Sequence, residues 1–315
     1  VSATTTQPGP GRSEAEDEAA RIARQRHNEG IRAERRFGLM LCAPAVIVMA
    51  AVTAYPIAYA VYLSFMRADL RNPSDREFVG LDNYITILSS PYWWNAFFVT
   101  SFITVVGAAL QLVLGMALAI VMHRTIVGRG LVRTSALVPY AIVTVVAAFS
   151  WRFAWSQGIG WLAGPDSAPL TERWPSLFII LLSEVWKTIP FMALLLMAGL
   201  ALVPEDLLKA ASMDGANAWQ RFIKVTVPLM KPAILVALLF RVMDSFRIFD
   251  NIFVLTSGAN DTSSVSVLAY NNLIRGLNLG IGSAMAVLIF LTIAIVAFVF
   301  IKGFGTAAPG ADGGR

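Results

Sequence analysis

Charge, cysteine and histidine are all scarce in this 315-residue chain. Charged residues make up 14% of it, where soluble domains carry about 25%. So little charge cannot clothe a water-facing globule. Disordered, collagen-like and disulfide-scaffold classes are excluded by the same composition. The single cysteine, Cys42, lies in an apolar run, so no intrachain disulfide can form. With only His27 and His123 present, a His/Cys metal site is not expected. No G-x-x-x-x-G-K-[ST] run occurs, so the chain has no phosphate-cradling loop of the ATPase kind. What it does have is 57% hydrophobic residues and a mean hydropathy of +0.64. That is the composition of an all-α integral membrane protein.

A bilayer core of about 30 Å needs about 20 mostly apolar residues per helix. Six stretches qualify: 38–65, 96–122, 135–156, 176–203, 232–257 and 280–304. None reads as a cleaved signal peptide. Between them the basic residues alternate. Segments 1–37, 123–134, 201–231 and the stretch from Lys302 onward hold sixteen Lys and Arg, whereas 67–95, 157–175 and 258–279 hold five. Basic loops stay in the cytoplasm, so both termini are expected there. The resulting organisation is a tail over 1–37, a membrane domain over 38–304 and a tail over 305–315. The mixed-charge stretch from Glu14 to Arg36 is expected as flexible chain, with a short surface helix as the other reading. Gly107, Gln111 and Gly115 share one helix face. So do Gly280 with Ala284 and Gly282 with Ala286, and small residues four apart allow close helix contact.

The loop 201–231 is unusually long. Pro204, Glu205 and Asp206 form a helix-start pattern, with acids near the positive end of the dipole. Leu207, Leu208, Ala211 and Met213 are apolar positions of that helix, and Gly215 permits a tight turn. Trp219, Phe222 and Ile223 then fall at helical spacing, and Pro228 and Pro232 interrupt the chain before the fifth span. This is a helix–turn–helix on the inner membrane face, serving either to dock a cytoplasmic partner or to rest on lipid.

The fifth span carries Arg241, Asp244, Arg247 and Asp250. Each charge costs about 2.5–3.5 kcal/mol at a helix centre, about 10–14 kcal/mol together, and the fourteen Leu, Ile, Val and Phe between 233 and 255 return about 4–8 kcal/mol. Such a helix inserts poorly against lipid alone and must face other helices or a watery cavity. Its charges alternate in sign three residues apart, so neighbours can pair. In the fourth span, Glu184 and Lys187 are spaced to neutralise each other. Pro190 removes a backbone donor near the middle, which allows a kink or hinge. Arg152 has no partner in its own span and is expected to snorkel toward the outer interface.

The spacing of Ala210, Ala211, Gly215, Val225, Val227 and Pro228 resembles the "EAA" loop of ABC importer permeases. Trp186, Lys187, Thr188, Ile189, Pro190 and Phe191, and the later run from Phe249 to Thr256, resemble the carbohydrate subgroup of that family. Val203 to Leu208 and Arg247 to Asn251 resemble its trehalose-importing members. The resemblance covers about 38–302. The family's leading loop Glu is replaced by Lys209.

The resemblance implies a six-helix type I importer fold that is not itself an enzyme. Its expected partners are a second homologous permease, two copies of a cytoplasmic ATPase, and a lipid-anchored or periplasmic sugar-binding protein. The ATPase binds ATP and Mg; this chain binds no cofactor or metal, and no nucleic acid. Glu205, Lys209, Ala210, Ala211, Asp214, Gly215, Trp219 and Phe222 would form the coupling contact. Positions near Thr188, Phe191, Arg241 and Ser245 would line a sugar pocket. Asp244, Arg247 and Asp250 could supply hydrogen bonds to hydroxyls, and Trp186, Phe191, Phe246 and Phe249 aromatic faces. The charges could equally form a structural ion-pair ladder. A secondary transporter using the intramembrane carboxylates is the competing function, although no inverted repeat is visible.

Overall fold

The computed structural model describes residues 14–72, 74, 76–125, 127–164 and 166–304. The chain divides into two compact units, Val1–Tyr59 and Ala60–Arg315. Helix α1, Glu14–Ser64, occupies the described part of the first unit and ends in the second. The stretch expected as flexible is therefore helical from Glu14, consistent with its many Ala, Glu and Arg residues. Residues 1–13 and the tail 305–315 lie outside the described residues. The apolar part of α1, Met40–Ser64, is the first expected span.

In the second unit a short antiparallel pair, β1 (Met66–Arg67) and β2 (Glu77–Phe78), follows α1 and leads to α2 (Asp82–Leu88). Two long helices, α3 (Pro91–Arg124) and α6 (Arg173–Leu200), form the central packed pair. The small-residue face of α3 makes this possible. A Cβ at Gly115 would lie 2.8 Å from Met192 Cγ, so the helices touch there without room for a side chain. Gln111 is buried on the same face and donates to Thr188 Oγ1 at 2.8 Å. Val99, Ile103, Leu177 and Ile180 fill one end of this contact; Met116, Met122, Met192 and Leu196 fill the other. Despite Pro190, α6 is one helix.

The third expected span is not a single helix. It is α4 (Arg129–Ala141) and α5 (Thr144–Ala154), bent 84° at Ile142 and Val143. Pro139 removes one amide from the last turn of α4, and both bend residues are β-branched and extended. The loop after α6 forms α7 (Glu205–Met213) and α8 (Ala218–Arg221), then a π turn over Phe222–Thr226 and α9 (Val227–Leu229). A 70° bend at Met230, between the two prolines, starts α10 (Lys231–Ser245).

The fifth expected span also breaks. After Ser245 the chain turns, and α11 (Asp250–Leu255) follows. Arg247 therefore sits in the turn, and the four charges do not lie on one continuous helix. Beyond it come α12 (Val265–Tyr270), a π turn over Asn271–Arg275, and α13 (Leu279–Phe304), the sixth span. Among the described residues four helices are thus long and apolar enough to cross a membrane, and up to six crossings result when each bent pair counts as one. Of the small pairs on α13, Gly280 and Ala284 are both buried. Gly282 is buried against Leu273, but Ala286 is exposed and shares no contact face with it.

Candidate functional site

The two breaks open on the same space. A cavity of about 730 Å³ lies between them. Tyr140, Ile142, Val143 and Thr144 of the α4–α5 elbow line one side, and Asp244, Arg247, Ile248, Phe249, Asp250 and Asn251 line the other. Glu184, Lys187 and Thr188 of α6 form the wall between.

The charged groups here are organised by tertiary contacts. Arg241 is 1% exposed. Its Nη2 donates to Glu184 Oε1 at 2.5 Å and its Nη1 to Asp244 Oδ2 at 2.8 Å. Glu184 Oε2 accepts from Asn251 Nδ2 at 3.0 Å, and Asn251 Oδ1 accepts from Ser183 Oγ at 2.8 Å. One buried carboxylate thus ties α10 and α11 to α6. Glu184 and Lys187 are not paired with each other, contrary to expectation. Lys187 Nζ instead donates to the carbonyls of Ile142 (2.8 Å) and Tyr140 (3.4 Å), and lies 5.7 Å from the Tyr140 ring centre. These carbonyls belong to the end of α4 and have no next turn to bond, so a cation there meets the negative end of the helix dipole. The turn after α10 is held by Ser264, whose Oγ donates to Ile248 O at 2.8 Å while accepting from Val267 N–H at the start of α12.

The expected path residues separate into two groups. Thr188, Asp244, Arg247, Phe249 and Asp250 line the cavity. Arg241 and Ser245 are buried behind it, and Phe246 is packed in a core with Phe97, Trp93 and Met285, so it presents no face to the cavity. Trp186 packs on Trp151, and Phe191 stacks on the back of Tyr140 at 5.4 Å. Tyr140 is therefore the aromatic ring on the α4–α5 side, and Phe249, stacked on Phe253 at 5.0 Å, the one opposite. Sequence reasoning missed the elbow residues and Asn251. Pro139, in the last turn of α4, was the available signal for the elbow. Arg152, which has no partner in its own span, donates through Nη1 to Val254 O near the end of α11, 2.9 Å away.

At the other end of α6 a second cavity, about 710 Å³, is lined by Ile120, His123, Arg124, Glu205, Leu208, Lys209, Arg221 and Phe222 among others. Of the expected coupling residues, Glu205, Lys209 and Phe222 line it. Ala210, Asp214, Gly215 and Trp219 are exposed, Trp219 at 70%, and Ala211 is half-buried. Gly215 has φ +81°, and the Ala216 N–H returns to Ala211 O at 3.0 Å, which closes α7 with a left-handed residue. Asn217 then starts α8 with a reciprocal cap to Gln220, at 2.8 and 2.9 Å. Lys209 lies 3.7 Å from Glu205 and 3.5 Å from Asp206, bridging acids of its own helix.

Comparison with known proteins agrees with this architecture. The chain is 61% identical over 283 residues to the "Trehalose transport system permease protein SugA" of Mycobacterium tuberculosis, covering 89% of this chain and 92% of that one. It is 35% identical over 286 residues to the "Trehalose/maltose transport system permease protein MalF" of Thermococcus litoralis, covering 85% and 94%. In fold it matches a chain of a bacterial ABC transporter involved in the import of the acidic polysaccharide alginate. That match has a TM-score of 0.75 and 19% identity, with 90% of this chain and 99% of that one covered. The family model of the "Binding-protein-dependent transport system inner membrane component" matches residues 85–306, which take in both broken spans, the cavity and the loop between α6 and α10. The chain belongs to that family: it is a multi-pass inner-membrane permease of an ABC importer.

Proposed function

We propose that this permease carries trehalose, or a close neutral disaccharide, through the cavity between the two broken spans. The observation that carries the sugar assignment is the 61% identity to a trehalose permease along 89% of the chain. The cavity chemistry supports it. Asp244, Asp250 and Glu184 are balanced by Lys187, Arg247 and the buried Arg241, so the site has no net charge to offer an ion. It offers donors, acceptors and two aromatic rings, Tyr140 and Phe249, which suit a hydroxyl-rich molecule with C–H faces. Its size falls in the usual range of about 300–1,000 Å³ for small-molecule sites.

The partners in this reading are a second homologous permease, two copies of a cytoplasmic ATPase that bind ATP and Mg, and an extracellular sugar-binding protein. Both termini and the α7–α9 loop face the cytoplasm, as the distribution of basic residues indicates. Exposed Met213, Leu207 and Trp219 form the surface of that loop offered to the ATPase. Uptake of labelled trehalose, maltose and sucrose into cells with and without the gene tests the assignment. Gene-dependent uptake of trehalose above the others is expected; its absence overturns the sugar assignment.

A further inference from the structure

Both elbows around the cavity are fastened to one turn of α6, and by opposite charges. Glu184 and Lys187 stand three residues apart but diverge. Lys187 reaches the free carbonyls of Tyr140 and Ile142 at the α4–α5 elbow, and Glu184 reaches Arg241 and Asn251 on either side of the α10–α11 break. Both are buried, at 9% and 8%.

The polar groups on the cavity wall therefore fall into two kinds. Both oxygens of Glu184 are engaged, and two of the three ammonium protons of Lys187 are directed at carbonyls. By contrast, Asp244 Oδ1 is free, and the side chains of Arg247 and Asp250 have no hydrogen-bond partner among the described residues. The free groups are placed to meet hydroxyls, and the engaged groups hold the backbone that carries them. No other cation or donor side chain reaches the Tyr140 and Ile142 carbonyls among the described residues. Without Lys187 these carbonyls must find water or re-bond within the chain, and the elbow loses its side-chain tie to α6.

We infer that Glu184 and Lys187 are positioning residues which set the width of the cavity: Lys187 holds the α4–α5 elbow, and Glu184 holds the α10–α11 elbow, against a common post. This deepens the reading of the cavity as the sugar path and rests on it for its kinetic consequence.

Two measurements on the assembled transporter in lipid nanodiscs or proteoliposomes test it. First, in a Cys42→Ser background, spin labels at Val143→Cys and Phe178→Cys report the distance from the elbow to α6. Lys187→Met is expected to broaden or shift that distribution, and Lys187→Arg to keep it. An unchanged distribution in Lys187→Met overturns the inference. Should Lys187→Met fail to assemble, Lys187→Gln replaces it, and an unchanged distribution there is equally fatal.

Second, uptake of trehalose and of its single-deoxy analogues separates holding from touching. For Glu184→Gln and Lys187→Met, KM is expected to rise about tenfold or more by the same factor for every analogue, the scale expected of a site misplaced by about 1 Å. For Asp244→Asn the loss should depend on which hydroxyl is missing. An analogue-dependent loss in Lys187→Met or Glu184→Gln makes that residue a sugar contact and overturns its positioning role. If the wild type takes up no trehalose, the sugar assignment fails, while the distance measurement still decides the role of Lys187.

Discussion

Arg241 holds two carboxylates that differ sharply in exposure, and this asymmetry yields a quantitative test. The Glu184 side chain is 10% exposed and that of Asp244 is 71% exposed. Replacing Arg241 with Met strands the Glu184 carboxylate between α6, α10 and α11, with only Asn251 left to it. Breaking a buried pair from one side costs about 3–5 kcal/mol. Glu184→Gln alone leaves Arg241 its second partner and costs about 1–3 kcal/mol. In the double variant Arg241→Met with Glu184→Gln no charge is stranded, so its cost should fall short of the sum by about 2–3 kcal/mol. Asp244→Asn touches only the solvent-screened limb and should cost about 0–1 kcal/mol, while sugar uptake drops. Unfolding midpoints of the purified complex in a detergent–SDS titration measure all four. Additive costs in the double variant, or an Asp244→Asn cost equal to that of Glu184→Gln, would refute the reasoning.

Further outcomes are expected along the path from loop to cavity. At Gly215 nothing obstructs a side chain, so the cost of Gly215→Ala is the left-handed backbone alone, about 1–2 kcal/mol. The ratio of sugar moved to ATP hydrolysed should fall in Gly215→Ala and recover in Gly215→Asn, which tolerates that backbone; equal ratios in all three proteins would argue against a rigid turn. At the crossing of α6 and α10, a Cβ on Gly199 would lie 2.6 Å from Ala233 Cβ. Gly199→Ala should cost about 1–3 kcal/mol by overpacking, and adding Ala233→Gly should restore most of it, read from the same unfolding midpoints. Trp219→Ala, at an exposed site, should leave those midpoints within about 0.5 kcal/mol of wild type yet lower ATP-driven uptake.

What could be read from the residues, and what could not, follows from where their partners are. Apolar runs reported α3, α6 and α13 well because length and hydropathy are local properties. The turn between α7 and α8 was visible for the same reason: Gly215 supplies its own left-handed backbone. The Arg241–Asp244 pair was legible too, being three residues apart on one helix. The Glu184–Lys187 pair had identical spacing and did not form. Each side chain found a partner more than forty residues away, and tertiary contacts outweigh an intrahelical pair worth about 0.2–0.5 kcal/mol. Ile142 and Val143 are as apolar as their surroundings, so Pro139 was the sole local sign of the α4–α5 elbow. Lys187 and Arg152 both bond backbone carbonyls, and no residue type announces a carbonyl.

The glycine-to-alanine crossing near the base of α6 has a mechanical corollary. With Gly199 against Ala233, the backbone of one helix meets a single methyl group of the other at that point. Neither Gly199 nor Ala233 has a rotamer to change, so a load delivered through α7–α9 would swing α10 about that point as about a fulcrum. From Ala233 to Ser245 the lever arm is roughly 18 Å at 1.5 Å per residue, so a tilt of a few degrees at the loop displaces the far tip by about 1 Å.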